Sequence, residues 1–428
     1  MTTNPVPPVR RYRIRQILAA AAICGLGFNL RPTSASIGPV LAELHTALQM
    51  SPISTGMLTS LPVLTFAVFG AVAPYLARAL NMHRLTLMAL LSVVTGLVLR
   101  SVVNDPASFL LLSLLALSGI ATANVLLPPL IKLHFPHRVG LLTSAYTAAL
   151  AIGATTTAAL TVPIADQFGS WRWGIAVWAF TALIATVPWL ALARRDATVT
   201  TGASSASLTR VGRTRLGWGM AATFALQSTQ AYSIFGWSAQ LFRDTGFSPQ
   251  EAGLLLGIVT AVGIPVSFTV TYLAGRTSNH GQMLTGLVCC YFMGYLGLLL
   301  DPSKAWIWVV LVGAGTSIFP LVLAQIGLRA RTPEGTAALS GFTQAVGYLL
   351  ATPGPFIVGL LYNLTGGWTM PLLLLMTINI ALAAVVRLVA REQYIEDQLA
   401  HTSPRSRPWN AEADSRGPTP RQSSNQQH

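Results

Sequence analysis

Between Gly335 and Val386 the chain runs without a single charged residue. A transmembrane helix needs about 20 apolar residues, so this stretch is too long for one span. Asn363-Leu364-Thr365-Gly366-Gly367 supplies the turn that divides it. Uncharged segments of similar length recur throughout. They predict spans at 15–44, 52–77, 84–103, 107–131, 139–165 and 173–193, then at 215–242, 251–275, 281–300, 304–328, 336–362 and 367–390. Only 9% of the 428 residues are charged, against about 25% in soluble domains. That is too little charge to cover a water-exposed surface, which excludes a soluble globular enzyme. The expected fold is an all-α membrane protein.

The halves repeat at a constant offset. Ser51-Pro52 recurs as Ser248-Pro249, Gly56 as Gly253, Tyr75-Leu76-Ala77 as Tyr272-Leu273-Ala274, and Trp171 as Trp368. Twelve helices in two pseudo-symmetric six-helix bundles follow, with a cavity where the bundles meet. The expected organisation is an N-terminal tail at 1–14, a bundle at 15–193, a Thr/Ser/Gly-rich linker at 194–214, a second bundle at 215–391 and a disordered tail at 392–428. The first apolar run starts near Ile17 and continues into a full span, so no cleavable signal is expected.

The net charge of +14 would suit nucleic acid. Here the basic residues instead sit between apolar segments, where they orient helices in a bilayer. With both termini on one side, 22 of the 27 basic residues fall on that side. Four fall opposite (Arg100, Arg172, Arg243 and Lys304), and Arg31 remains within a span. This bias predicts cytoplasmic termini in a bacterial plasma membrane. Cys24, Cys289 and Cys290 lie in apolar stretches, so neither a disulfide nor a metal cluster is expected.

Arg31 is the most informative residue. A helix rising about 1.5 Å per residue from Arg15 places it about 24 Å along its axis, well inside the apolar core. A charge there costs at least about 2.5 kcal/mol, so it faces the bundle interior or water. The nearest acidic residue, Glu43, is about 18 Å further along a helix. A guanidinium without a counter-ion suits an anionic ligand, and its planar fork suits carboxylate-like groups. The competing role is structural: Pro32 and Pro39 free the carbonyls of Phe28 and Ala35, and Arg31 could bond them. Asn124 either lines the cavity or ties helices together. In the seventh span Gln227, Gln230 and Trp237 share one face, with Tyr232 pointing elsewhere. In the eleventh, Ser340, Gln344 and Tyr348 share another. Tyr146 has a suitable depth. These side chains could orient a small polar substrate or simply pack helices.

No phosphate-binding G-x-x-x-x-G-K-[ST] loop is present, so no ATP-driven engine is expected. All 13 acidic residues lie at span ends, loops or tails, and the seven histidines also avoid the midplane. A buried carboxylate proton relay is therefore missing. No catalytic or metal-ligand set is visible, and no cofactor is expected.

Twelve spans, a basic central linker and duplicated halves resemble the major facilitator superfamily. The loop after the second span carries Arg78 and Arg84 where that superfamily has its basic gating motif. Ala77 replaces the motif's acidic residue, and Asn81 stands where a turn glycine would. Gly27-Phe28-Asn29-Leu30-Arg31-Pro32, Asn124-Val125-Leu126-Leu127-Pro128, Gln344-Ala345-Val346-Gly347-Tyr348 and Ser170-Trp171-Arg172 resemble the cyanate permease and nitroimidazole transporter family. The resemblance implies a monomeric secondary carrier. Together with Arg31 it points to a small anionic or weakly acidic organic substrate, moved by alternating access. Protons and a counter-anion both stay open as coupling partners. The alternative is a proton-coupled drug antiporter, although the fifth span lacks that class's G-x-x-x-G-P-x-x-G-G motif.

Overall fold

The computed structural model describes residues 9–193, 205–274, 276, 280–389 and 393–402, and every element among them is helical. The N-terminal half comprises α1 (Val9–Asn29), α2 (Pro32–Ala35), a 3-10 turn (Gly38–Val40), α3 (Leu41–Ala47), α4 (Pro52–Leu80), α5 (Met82–Arg100), α6 (Pro106–His134), α7 (Val139–Gln167) and α8 (Trp171–Leu192). After α9 (Ser205–Val211), the C-terminal half comprises α10 (Arg215–Asp244), α11 (Pro249–Ala274), α12 (His280–Leu300), α13 (Ala305–Gly315), α14 (Ile318–Leu328), α15 (Pro333–Ala351), α16 (Pro353–Thr365) and α17 (Thr369–Val389). A last helix, α18, covers Ile395–Thr402.

Among the described residues ten helical segments are long and apolar enough to cross a membrane. The other two expected spans are helical but fall short for physical reasons. The first is broken at Leu30-Arg31 between α1 and α2. The seventh, α10, carries Gln227, Ser228, Thr229 and Gln230, all buried inside the protein rather than in lipid. Two expected spans, 304–328 and 336–362, are each split by a break not expected from the sequence, and the second ends in the expected turn at 363–367. Thr316-Ser317 separates α13 from α14, Thr352-Pro353 separates α15 from α16, and Gly366 closes α16 in the left-handed region at φ +66°.

Side-chain caps start the spans. Ser51, Asp105 and Thr332 each precede a proline and accept a hydrogen bond from the N–H three residues on. At the repeat-related position Ser248 and Glu251 form a reciprocal box: Ser248 N–H donates to Glu251 (2.9 Å) and Glu251 N–H to the Ser248 hydroxyl (3.3 Å). Asn81 adopts φ +70°, a conformation in which glycine is the usual residue.

Two boundary expectations change. α1 begins at Val9 rather than after residue 14. The expected disordered tail is in part helical. α18 docks against α15 and the start of α10: Ile395 is fully buried and donates its N–H to the Arg329 carbonyl (3.0 Å), and Leu216 N–H donates to Gln398 Oε1 (3.0 Å). Composition hid this because one short apolar pair, Ile395 and Leu399, sits in polar sequence. Residues 194–204 of the expected linker and 403–428 of the tail lie outside the described residues.

Candidate functional site

The break in the first span builds the site. Arg31 is the N-cap residue of α2, at φ −111° and ψ −34°. Its carbonyl accepts from the N–H groups of Ser34 (3.1 Å) and Ala35 (2.9 Å). Its half-buried side chain reaches across to the other half of the molecule. The guanidinium carbon stands 5.4 Å from the ring centre of Phe235 and 6.0 Å from that of Tyr232. The Tyr232 ring meets the Tyr348 ring edge-on, 6.3 Å between centres. Phe66 of α4 stacks on Tyr348 of α15 at 5.3 Å and 26°. Phe224 meets the same tyrosine edge-on at 4.8 Å. Among the described residues no carboxylate pairs with Arg31. Glu43 is bound elsewhere, to Arg243 of α10, through two hydrogen bonds.

A structural task at this break is carried out by a different arginine, though not on the Phe28 and Ala35 carbonyls weighed for Arg31. Arg100, counted in the sequence as a loop cation, is fully buried. Both of its terminal nitrogens donate to the Thr33 carbonyl (3.2 Å each), and one also donates to the Ser36 hydroxyl (3.2 Å). It lies over Phe109 at 5.9 Å. The backbone opened by the prolines is thus held from behind by Arg100, and Arg31 is left to face the opposite way. Asn29 fixes the preceding turn, donating to Gly25 O (2.8 Å) and Thr181 O (3.2 Å).

The other candidates divide. Tyr348 joins the Arg31 cluster. Gln344 lies one turn away on the same face of α15, half-buried, with its amide on the Ser340 hydroxyl (2.8 Å). Tyr146, also half-buried, lies where α7 touches α1, so close that a methyl on Gly27 would sit 2.8 Å from the Tyr146 carbonyl. Gln230 and Trp237 do not join the cluster. Gln230 donates to Leu375 O (2.9 Å) and accepts from the Tyr295 hydroxyl (2.8 Å), and Trp237 donates to Pro355 O (2.9 Å). Their shared face points into the C-terminal bundle. From Met220 to Phe242 α10 has no exposed residue, so its polar stripe marked an interior and not the cavity. Gln227 is also buried, with an unpartnered Oε1. Tyr232, on another face of α10, is the residue beside Arg31. Phe66, Phe224 and Phe235 carried no signal in the sequence, being apolar residues within apolar spans. Arg84 is exposed at the start of α5, and the Arg78 side chain lies outside the described residues.

The halves meet on the side away from α9 and α18. There Arg243 pairs with Glu43, Gln250 donates to Asp166 (2.5 Å), and Gly236 packs on Thr59. Thr155 and Thr260 share a hydrogen bond (2.9 Å) where α7 crosses α11. On the linker side of that bond the two helices are more exposed. No residue of α7 between 143 and 152, and none of α11 between 264 and 273, is fully buried. On the far side both pack closely: Ala158, Val162, Leu255 and Leu256 are all 2% exposed or less. α6 shows the same change. Asn124, Pro128 and Lys132 form a half-buried to exposed stripe at i, i+4 and i+8 on the linker side, whereas Ser113, Leu117 and Ile120 beyond them are buried. Packing between the halves is therefore tight on the far side and looser on the linker side.

Comparison with known proteins gives this arrangement a family. Residues 17–355 match the model for the Major Facilitator Superfamily. The chain is 34% identical to an uncharacterized transporter, YycB, of Bacillus subtilis, over 91% of this chain and 98% of that one. It is 32% identical to the 2-nitroimidazole transporter of Escherichia coli (89% and 97%) and 26% identical to the cyanate transport protein CynX of the same organism (81% and 90%). The fold also matches the crystal structure of a bacterial homologue of the human lysosomal transporter Spinster, with TM-score 0.73, 16% identity and coverage of 91% and 99%.

Proposed function

The chain belongs to the Major Facilitator Superfamily and is a multi-pass membrane transporter, and from that premise we propose that it carries a small anionic or weakly acidic organic compound by alternating access, with Arg31 binding the negative group. One observation supports this above the others. Arg31 projects half-buried from a helix break at the junction of the two halves, lies beside rings of the C-terminal half, and has no carboxylate partner among the described residues. A cation in that position is offset only by ring faces, which are far weaker counter-charges than a carboxylate. An anion entering from the linker side completes it. Because the rings belong largely to the C-terminal half and Arg31 to the N-terminal half, the bound anion draws the two halves together. Its differential affinity for the closed arrangement then drives the change of access. We place the termini in the cytoplasm of a bacterial cell and read the looser packing on that side as the inward-open arrangement.

The test is counterflow in proteoliposomes with small organic anions. Arg31→Gln is expected to insert and fold as the parent does and to lose transport. Full transport by that variant removes the assigned role. The coupling partner, a proton carried by the weak acid or an exchanged anion, is read from the pH dependence of the same assay.

A further inference from the structure

Between α12 and α17, on the linker side, lies an open recess of about 420 Å³. It is lined by Gly281, Gln282 and Thr285 at the start of α12 and by Arg387 in the last turn of α17. Arg387 and Gln282 are exposed, and among the described residues neither side chain has a hydrogen-bond or ion-pair partner. The Thr285 hydroxyl donates to the Gly281 carbonyl (2.8 Å). Toward the middle of the membrane the two helices continue as exposed apolar surface, with Met293 on α12 and Ile380 and Leu373 on α17. The recess therefore opens sideways onto lipid, at the ends of two spans, where headgroups lie.

The internal repeat shows that the fold does not require this polarity. At the offset that relates Ser51 to Ser248, the residues Gln282, Thr285 and Arg387 correspond to Leu85, Met88 and Leu190. Leu85 is buried, and Met88 and Leu190 are exposed apolar side chains. The N-terminal half thus presents plain apolar surface where the C-terminal half presents an arginine, an amide and a hydroxyl. We propose that the recess binds the phosphate of an anionic phospholipid in the leaflet on the linker side. A guanidinium facing headgroups attracts negative charge, and the two unesterified oxygens of a phosphodiester accept from its planar fork. The Gln282 amide donates from the opposite wall, and the Thr285 hydroxyl can turn from the Gly281 carbonyl to join it. The acyl chains then lie along Met293 and Ile380. A zwitterionic lipid offers the same phosphate but brings its own cation, which competes with Arg387. Because Arg387 and Gln282 belong to different helices, the bound phosphate ties the linker-side ends of α12 and α17 together.

The test measures lipid retained by the detergent-purified full-length chain, by native mass spectrometry, in titrations with phosphatidylglycerol and with phosphatidylcholine of the same acyl chains. The parent chain is expected to prefer phosphatidylglycerol about five- to tenfold. Arg387→Gln is expected to bring that preference below about twofold. Gln282→Leu combined with Thr285→Met installs the residues of the other half and is expected to reduce the preference about threefold with no change of charge. Arg213→Gln removes an exposed arginine outside the recess and is expected to keep it. Glycerol phosphate, the soluble headgroup, is expected not to displace the lipid at equal concentration. No preference in the parent chain, a preference indifferent to Arg387→Gln, or one lost equally in Arg213→Gln overturns the site. A preference lost in Arg387→Gln but untouched by the double substitution on α12 leaves the arginine as a surface charge and overturns the recess. Displacement by glycerol phosphate that Arg387→Gln abolishes gives the recess to a soluble phosphate ester and overturns the lipid.

Discussion

Arg243 donates through both terminal guanidinium nitrogens to the carboxylate of Glu43, a residue 200 positions earlier in the other half of the molecule. The pair closes the side away from the linker, and the Arg243 side chain is only 11% exposed there. Glu43 is 37% exposed, so the pair is solvent-screened and contributes on the order of 0.5–1 kcal/mol. That is suitable for a latch that must open in every cycle. Glu43→Gln is expected to raise the outward-open population several-fold. The measurement is the labelling rate of Thr59→Cys by a membrane-impermeant thiol reagent, with Cys24, Cys289 and Cys290 replaced. Thr59 is 4% exposed beneath the latch. An unchanged rate means that the closed face is held by packing alone.

The two arginines at this helix break are expected to respond differently to substitution. Arg100→Gln leaves the Thr33 carbonyl and Ser36 hydroxyl buried without their donor, which costs about 1–3 kcal/mol. The unfolding midpoint of the purified protein is expected to fall by several degrees. Arg31→Gln breaks no hydrogen bond seen among the described residues and is expected to leave the midpoint nearly unchanged while abolishing transport. The reverse pattern would exchange the roles of the two residues.

The docked C-terminal helix carries a pH dependence of its own. Burial pushes the Glu396 carboxyl up, but hydrogen bonds from the N–H groups of Arg331 and Thr332 and from the Thr332 hydroxyl outweigh it and hold the group below the ordinary glutamate value. A carboxylate depressed in the folded state stabilises docking above its unfolded value and loses that contribution as pH falls through the folded one. α18 is therefore expected to stay docked at neutral pH and to loosen below about pH 4. Hydrogen exchange over residues 395–402, measured against pH, reports this. Glu396→Gln is expected to show faster exchange at neutral pH and a flat profile.

Much of the fold could be read from the chain because the signals are long. Uncharged runs and the Ser-Pro repeats at 51 and 248 mark whole spans, and a bilayer leaves few alternatives for such segments. The site was legible only where a residue violates its surroundings. Arg31 is a charge within an apolar span and stood out at once. Phe66 and Phe235 violate nothing, so no pattern distinguishes them from lipid-facing phenylalanines. Gln230 and Trp237 misled for the converse reason. A polar face at helical spacing marks an interior, and in α10 the interior of its own bundle competes with the cavity between bundles. Arg100 misled through depth, since its position at the end of α5 fits a loop equally well until α2 is seen folded over it.

Closure of the far side also depends on two backbones meeting without side chains between them. A methyl group placed on Gly38 would lie 2.3 Å from the Phe235 carbonyl oxygen, far inside contact distance. The obstacle is backbone in the middle of α10, so no rotamer change relieves it, and α10 must move away from the first span. Phe235 also supplies a ring face to Arg31, so the displacement reaches the binding cluster. Gly38→Ala is therefore expected to disfavour the inward-open form more strongly than Glu43→Gln does. The Thr59→Cys labelling rate should rise further than in the latch variant, and counterflow should slow because one of the two states has become costly. The added methyl loses no hydrogen bond. A labelling rate equal to that of the parent would mean that the first span yields locally at its break, and that Gly38 does not set the closed spacing between the halves.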